Sequence, residues 1–154
     1  MSKLISEQTL KWVGKEFPPV KATVDERELK KFYASTSAKI DFKNMDLKKG
    51  SVVPRYMYML AEFDVYSEDD LEPDGRVVEQ YPPTKAERVV AGGTDIEFFQ
   101  DIKLGDTIIS NRKITDIFEK EGKNGPLCFV IYETTFRNQV DELLALVKRT
   151  TILY

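Results

Sequence analysis

From Val89 to Tyr154 the chain runs through strand-length segments that are apolar in both parities, and few folds can hold such a stretch. Ile96 and Phe98 alternate with Asp95 and Glu97. In the next run Ile109, Thr115 and Ile117 share one parity, while Ile108, Ile114 and Phe118 share the other. Leu127, Phe129 and Ile131 then oppose Cys128, Val130 and Tyr132. A fourth run starts at Leu143 to Leu146 and continues through Val147, Ile152 and Leu153. Strands apolar on both faces at their centres are covered on both sides. Lys103-Leu104-Gly105-Asp106, the segment Glu121 to Pro126, and Asn138-Gln139-Val140-Asp141 carry the glycine, asparagine and aspartate that hairpin turns use. Four consecutive antiparallel strands are predicted. They are long for a monomer of this size, which points to an oligomer whose sheets join or stack.

The first third reads as helix and loop. Val20 to Val24 is a short β-prone run. Asp25-Glu26-Arg27-Glu28 follows as a carboxylate cap, and Leu29, Phe32 and Tyr33 then recur at helical spacing opposite Lys30 and Lys31. Such an aromatic pair is more often a core-packing face than a ligand wall. Ala38 to Gly50 is polar and lysine-rich. Val52-Val53-Pro54-Arg55 leads into Tyr56-Met57-Tyr58-Met59-Leu60, where the proline suits the first turn of a short helix. Asp64 to Glu87 is loop-like and acidic, with Pro73, Pro82, Pro83 and the turn pair Asp74-Gly75. Its carboxylates lack the alternation of a calcium loop, so it reads as a solvated loop.

Composition narrows the function classes. The net charge of -3 is small, and lysines are interleaved with acidic residues, unlike the basic face of a nucleic-acid binder. No apolar run approaches the ~18–20 residues that span a bilayer, and the first residues lack a secretory signal's apolar centre. One cysteine, Cys128, permits no internal disulfide and fits a reducing cytoplasm. Histidine is absent from all 154 residues, so the chain by itself cannot run chemistry that needs an imidazole. With neither histidine nor clustered carboxylates, no metal or other cofactor is expected. A single domain over residues 1–154 is predicted.

An α+β chain in which a capped helix precedes a long antiparallel sheet has the outline of a hot-dog fold, the sheet wrapping helical segments. The residues also resemble a known family. Ala91-Gly92-Gly93-Thr94-Asp95-Ile96-Glu97-Phe98-Phe99, then Leu104-Gly105-Asp106, then Asp116 to Gly122, are similar to the N-terminal half of MaoC-like dehydratases. Gly125-Pro126-Leu127-Cys128-Phe129-Val130 and Asn138-Gln139 extend the likeness over about the last 65 residues. The turn departs at Val140-Asp141, where the family commonly has Asp-Gly, although aspartate tolerates the left-handed conformation.

The resemblance implies acyl-thioester chemistry. MaoC-like proteins hydrate trans-2-enoyl thioesters or dehydrate (R)-3-hydroxyacyl thioesters in fatty acid metabolism, using an Asp and His pair. Water must be activated at the β-carbon while a proton reaches the α-carbon, which calls for a poised acid and base. In the matching stretch, Phe32 to Phe42, the catalytic Asp would fall near Ala38, and no histidine follows. Asp41 is the nearest carboxylate, three positions late, so no catalytic residue carries over. The chain therefore looks like the non-catalytic, acyl-accommodating half of such an enzyme, a lyase subunit inactive alone, with Asp and His supplied by a partner hot-dog chain.

On that reading the acyl-CoA or acyl-carrier thioester meets Pro54, Arg55, Tyr56 and Met57, the counterpart of a Val-Pro-Pro-Thr-Phe-like loop. Gly92 and Gly93 could admit close backbone approach, although strand flexibility is their commoner role. Two alternatives stand beside it. One is a hot-dog thioesterase that activates water with a carboxylate such as Asp41, Asp95 or Glu97. The other is an inactive acyl-CoA-binding scaffold.

Overall fold

The structure, a computed structural model, describes residues 4–36, 39–41 and 47–154. The chain opens with a one-turn helix, α1 (Glu7–Leu10), capped by Ser6. The Thr9 hydroxyl donates to the Pro83 carbonyl at 2.5 Å, pinning this helix to the loop that precedes the sheet. Strand β1 (Val20–Thr23) follows, then α2 (Glu26–Ser35). The cap expected from sequence is in place, with the Asp25 carboxylate accepting from the Glu28 amide at 2.8 Å. Leu29 is buried, while Phe32 and Tyr33 are half-buried and meet edge-to-face with centroids 6.1 Å apart. Beyond Pro54 the short helix is of the tighter 3-10 type, over Arg55–Ala61.

The last 66 residues form β2 (Val89–Phe98), β3 (Thr107–Gly122), β4 (Gly125–Arg137) and β5 (Leu143–Leu153). With β1 they make one antiparallel sheet in the order β1-β3-β4-β5-β2. Two expectations are corrected here. The sheet has five strands rather than four, because Val20–Thr23 pairs with β3 at one edge. The glycine turn at Lys103–Asp106 is also no hairpin, because β2 pairs with β5 and not with β3. Its turn lies on a crossover from one edge of the sheet to the other side. Turn residues at Gly105 announce a reversal of the chain but do not say which strand the chain then joins.

A third correction concerns parity in β3. A β-bulge between Ile114 and Asp116 adds one residue to that strand, so Ile114 opposes Tyr132 and Ile117 opposes Val130. Ile108, Ile114 and Ile117 all point to the covered face, and Phe118 turns to the outer one, where it stacks on Phe129 with centroids 5.0 Å apart. Strict alternation could not reveal that inserted residue. At Asp141 the backbone takes φ 66, so aspartate does hold the left-handed position of the last hairpin.

The covered face carries two apolar clusters. One gathers Val24, Leu29, Met57, Tyr58, Ile108, Phe136 and Val147 beneath α2 and the 3-10 helix. The other gathers Ile114, Ile117, Cys128, Val130, Tyr132 and Leu153 beneath the N-terminal segment, with Trp12 and Phe17 packed on it. Between them the sheet is polar. Arg112 opposes Thr134, Tyr132 opposes Arg149, and Val130 opposes Thr151, so a belt of hydrophilic side chains crosses three strands on the covered face.

Candidate functional site

Pro54 sets the first turn of the 3-10 helix with φ -53, and the next residues fan out from it. Tyr56 is 53% exposed and leans on Phe98 of β2, edge-to-face at 6.0 Å, and on Tyr58 at 6.3 Å. Arg55 lies over the same Phe98 ring at 5.6 Å and reaches to 3.8 Å from Asp101. Met57 points the other way and is buried in the core under the helix. Arg55, Tyr56 and Phe98 thus make one surface cluster, held from below by Met57 and by Tyr58, whose ring packs on Phe136 at 4.8 Å. Burial pushes the Tyr58 hydroxyl above its ordinary range, and the neighbouring Glu62 charge adds to it.

Gly92 and Gly93 sit elsewhere on β2, roughly 18 Å along the strand from Phe98. They form a bulge against β5. A Cβ at Gly92 would come within 2.9 Å of Thr150 Cγ2 and 3.0 Å of Ile152 Cγ1, so this position needs glycine for packing. Gly93 adopts φ 153, at the edge of the region that favours glycine. The structure therefore brings Arg55 and Tyr56 together with Phe98, leaves Met57 in the core, and does not bring the glycines to them. Asp95 and Glu97 are exposed on the outer face, with Asp95 opposite Lys148. Asp41 is exposed as well, and Ala38, the position matching the family's catalytic Asp, lies outside the described residues.

The acidic loop is locally bonded. Asp70 accepts from the Ser67 amide at 2.8 Å and from its hydroxyl at 2.7 Å, bonds that hold its carboxyl below the usual range. Among the described residues no group of three ligating side chains could hold a metal ion. None of the described helices is long and apolar enough to cross a membrane.

What the sequence reading missed is the polar belt. Glu62, just past the 3-10 helix, has a side chain only 4% exposed, and its Oε1 lies 2.9 Å from Arg149 Nη1. Its Oε2 is buried with no hydrogen-bond partner. Arg112 stacks on the Phe17 ring at 4.3 Å and lies 5.7 Å from that of Tyr132. The Tyr132 hydroxyl donates to the Gln80 carbonyl at 3.0 Å, and burial raises its pKa well above the ordinary value. Two hollows of about 290 and 330 Å³ open on this belt and share Glu62, Gln80, Arg112 and Thr134 in their walls. No sequence signal singles out Glu62, because its role depends on an arginine 87 positions away.

A profile of the FAS1-like, dehydratase domain region matches residues 11–147. The chain belongs to that family. Solved structures agree on the fold of this FAS1-like dehydratase-region chain. A MaoC-like dehydratase from Rhodospirillum rubrum is 16% identical, with 92% of each chain covered and a TM-score of 0.58. A chain of the ChsH1-ChsH2 complex from Mycobacterium tuberculosis is 13% identical over 90% of this chain and 84% of that one, with a TM-score of 0.64. A chain of the C-terminally truncated HadBC (3R-hydroxyacyl-ACP dehydratase) complex from the same organism is 18% identical over 92% and 96%, with a TM-score of 0.57. No curated protein matches the chain in sequence. The five-stranded antiparallel sheet around few helices is the hot-dog fold that the sequence led us to expect for this dehydratase-family member.

Proposed function

We propose that this chain is the non-catalytic, acyl-accommodating subunit of an (R)-specific enoyl-thioester hydratase or 3-hydroxyacyl-thioester dehydratase. In this reading residues 1–154 act as one domain, and a second hot-dog chain supplies the Asp and His. The observation that carries the reading is the absence of histidine from a chain of a dehydratase family. Hydration across an enoyl double bond needs a group that can take a proton from water and return one near neutral pH, and imidazole is the side chain suited to that.

The surface supports a partner. Strand β2 is an edge of the sheet, ten residues long and mostly exposed, and such an edge offers unpaired backbone groups to another strand. Tyr56 and Met59 lie three apart on a helix of three residues per turn, and Phe63 follows two residues after its end; all three are about half exposed. Relatives in structure, ChsH1-ChsH2 and HadBC, are complexes of two kinds of chain. On this reading the acyl chain of a CoA or carrier-protein thioester passes over Pro54, Arg55 and Tyr56, with Met57 as the floor beneath. Gly92 and Gly93, further along β2, would admit close approach of their backbone to a more distant part of the ligand. The assembly works in the cytoplasm, in fatty acid metabolism.

The test is a hydration assay on crotonyl-CoA with the purified chain, a His-bearing hot-dog partner, and their mixture. The reading expects no turnover by the chain alone and a gain in rate or acyl-length range when it joins the partner. Hydration by the chain alone would overturn it.

A further inference from the structure

A sheet face that packs on helices is ordinarily apolar from end to end, and here it is split by Ser110, Arg112, Thr134, Arg149 and Thr151. Buried polar groups are ordinarily paired, and the exceptions concentrate where a structure does something besides fold. Two groups in the belt are left over, one half-buried and one buried. Arg112 makes no ion pair among the described residues, although its guanidinium is fixed by the Phe17 ring. Ring stacking occupies the flat faces of a guanidinium and leaves its N–H edge free for a planar acceptor. Glu62 gives one oxygen to Arg149 and keeps the other unpaired.

We infer that the chamber between Arg112 and Glu62 is a binding site for a short hydroxycarboxylate. The carboxylate would sit on the N–H edge of Arg112, and a ligand hydroxyl would donate to Glu62 Oε2. Glu62 lines both hollows, and a small shift of its side chain together with Arg149 would present Oε2 to the ligand while the ion pair is kept. The donor has to be neutral. Arg149 already balances the Glu62 charge, and an ammonium group would be placed between two guanidinium groups. Pro18, Val20, Val77 and Val78 line one side of the first hollow and suit a short aliphatic chain, while Lys15, Asp64 and Glu79 also stand in its wall, with Glu79 3.8 Å from Lys15. This site lies on the covered face of the sheet, apart from the Arg55–Tyr56–Phe98 surface, and does not rest on the hydratase reading.

The experiment titrates the full chain with butyrate, its 2-, 3- and 4-hydroxy derivatives, 2-aminobutyrate and inorganic phosphate, by calorimetry and by backbone-amide NMR shifts. The expected result is saturable binding of at least one hydroxybutyrate about tenfold tighter than butyrate, since a buried oxygen regains its partner. Amide shifts should centre on Arg112, Thr134 and Arg149. Arg112→Gln should weaken that binding about tenfold or more, and Glu62→Gln should narrow the gap between hydroxybutyrate and butyrate. Saturable shifts at the named amides keep the site testable even where a variant fails to fold. No saturable binding of any hydroxybutyrate would overturn the assignment. So would tighter binding of 2-aminobutyrate, or of phosphate with no response to Glu62→Gln.

Discussion

The Asp106 carboxylate and the Gln139 side-chain amide, 33 residues apart, meet at 3.1 Å and lock the β2–β3 crossover to the β4–β5 hairpin. The other Asp106 oxygen accepts from the Lys103 amide at 2.8 Å, and the Gln139 carbonyl accepts from the Thr107 amide at 2.8 Å. Asp106 is buried, so removing its carboxylate strands two donors in a tight turn. Asp106→Ala should cost about 1–3 kcal/mol in urea denaturation, and Gln139→Ala less. The double variant should lose less than the sum, because both act on one bonded unit. Strict additivity would show that the two ends of the sheet are not coupled through this pair.

Cys128 is fully buried on the covered face, and desolvation, with the Glu119 charge adding to it, pushes its thiol up to about 11. An unfolded thiol ionises near 9.0, so the folded state holds the proton more tightly. The stability this contributes is complete below pH 9 and is lost as pH rises toward 11. Iodoacetamide at pH 8 should leave the native chain unmodified and label it once unfolded. Urea midpoints should fall from pH 9 upward, and Cys128→Ala should remove the earliest part of that fall. Tyr58 and Tyr132, whose hydroxyls are also raised by burial, would carry the remainder above pH 10.

Tyr56, Met59 and Phe63 are each about half exposed, and Tyr56 leans on Phe98 of the open β2 edge. Each keeps about half its surface packed, so replacing all three with Glu should cost about 1–3 kcal/mol and leave the chain folded, as a urea melt would show. The same triple variant should weaken assembly with a hot-dog partner at least tenfold in light-scattering or pull-down measurements. Unchanged assembly would move the interface away from this surface.

Much of the fold was legible because it depends on local chemistry. The Asp25 cap, the strands from Val89 onward and the hairpin at Gly122–Gly125 all follow from residue type and spacing. The strand order was not legible, because hydrogen bonding between β2 and β5 joins residues 47 to 64 positions apart, with no mark in either strand. Nor was the bulge at Ile114, since one inserted residue reverses parity without changing composition. For the candidate site, the Arg55–Tyr56 surface stood out as a dense aromatic run beside a proline. The belt did not, because Glu62, Arg112 and Arg149 each look like an ordinary surface charge until the sheet brings them together.

The central claim is that this chain borrows its acid and base. The most direct measurement is turnover of crotonyl-CoA by the assembled complex, with substitutions made in one chain at a time. Replacing the partner's catalytic histidine should lower kcat by about 100-fold or more. Asp41→Asn, Asp95→Asn and Glu97→Gln together in this chain should change kcat by less than about twofold, the span left to carboxylates outside the acid–base step. Loss of turnover on neutralising those carboxylates, with the partner's histidine dispensable, would contradict the account.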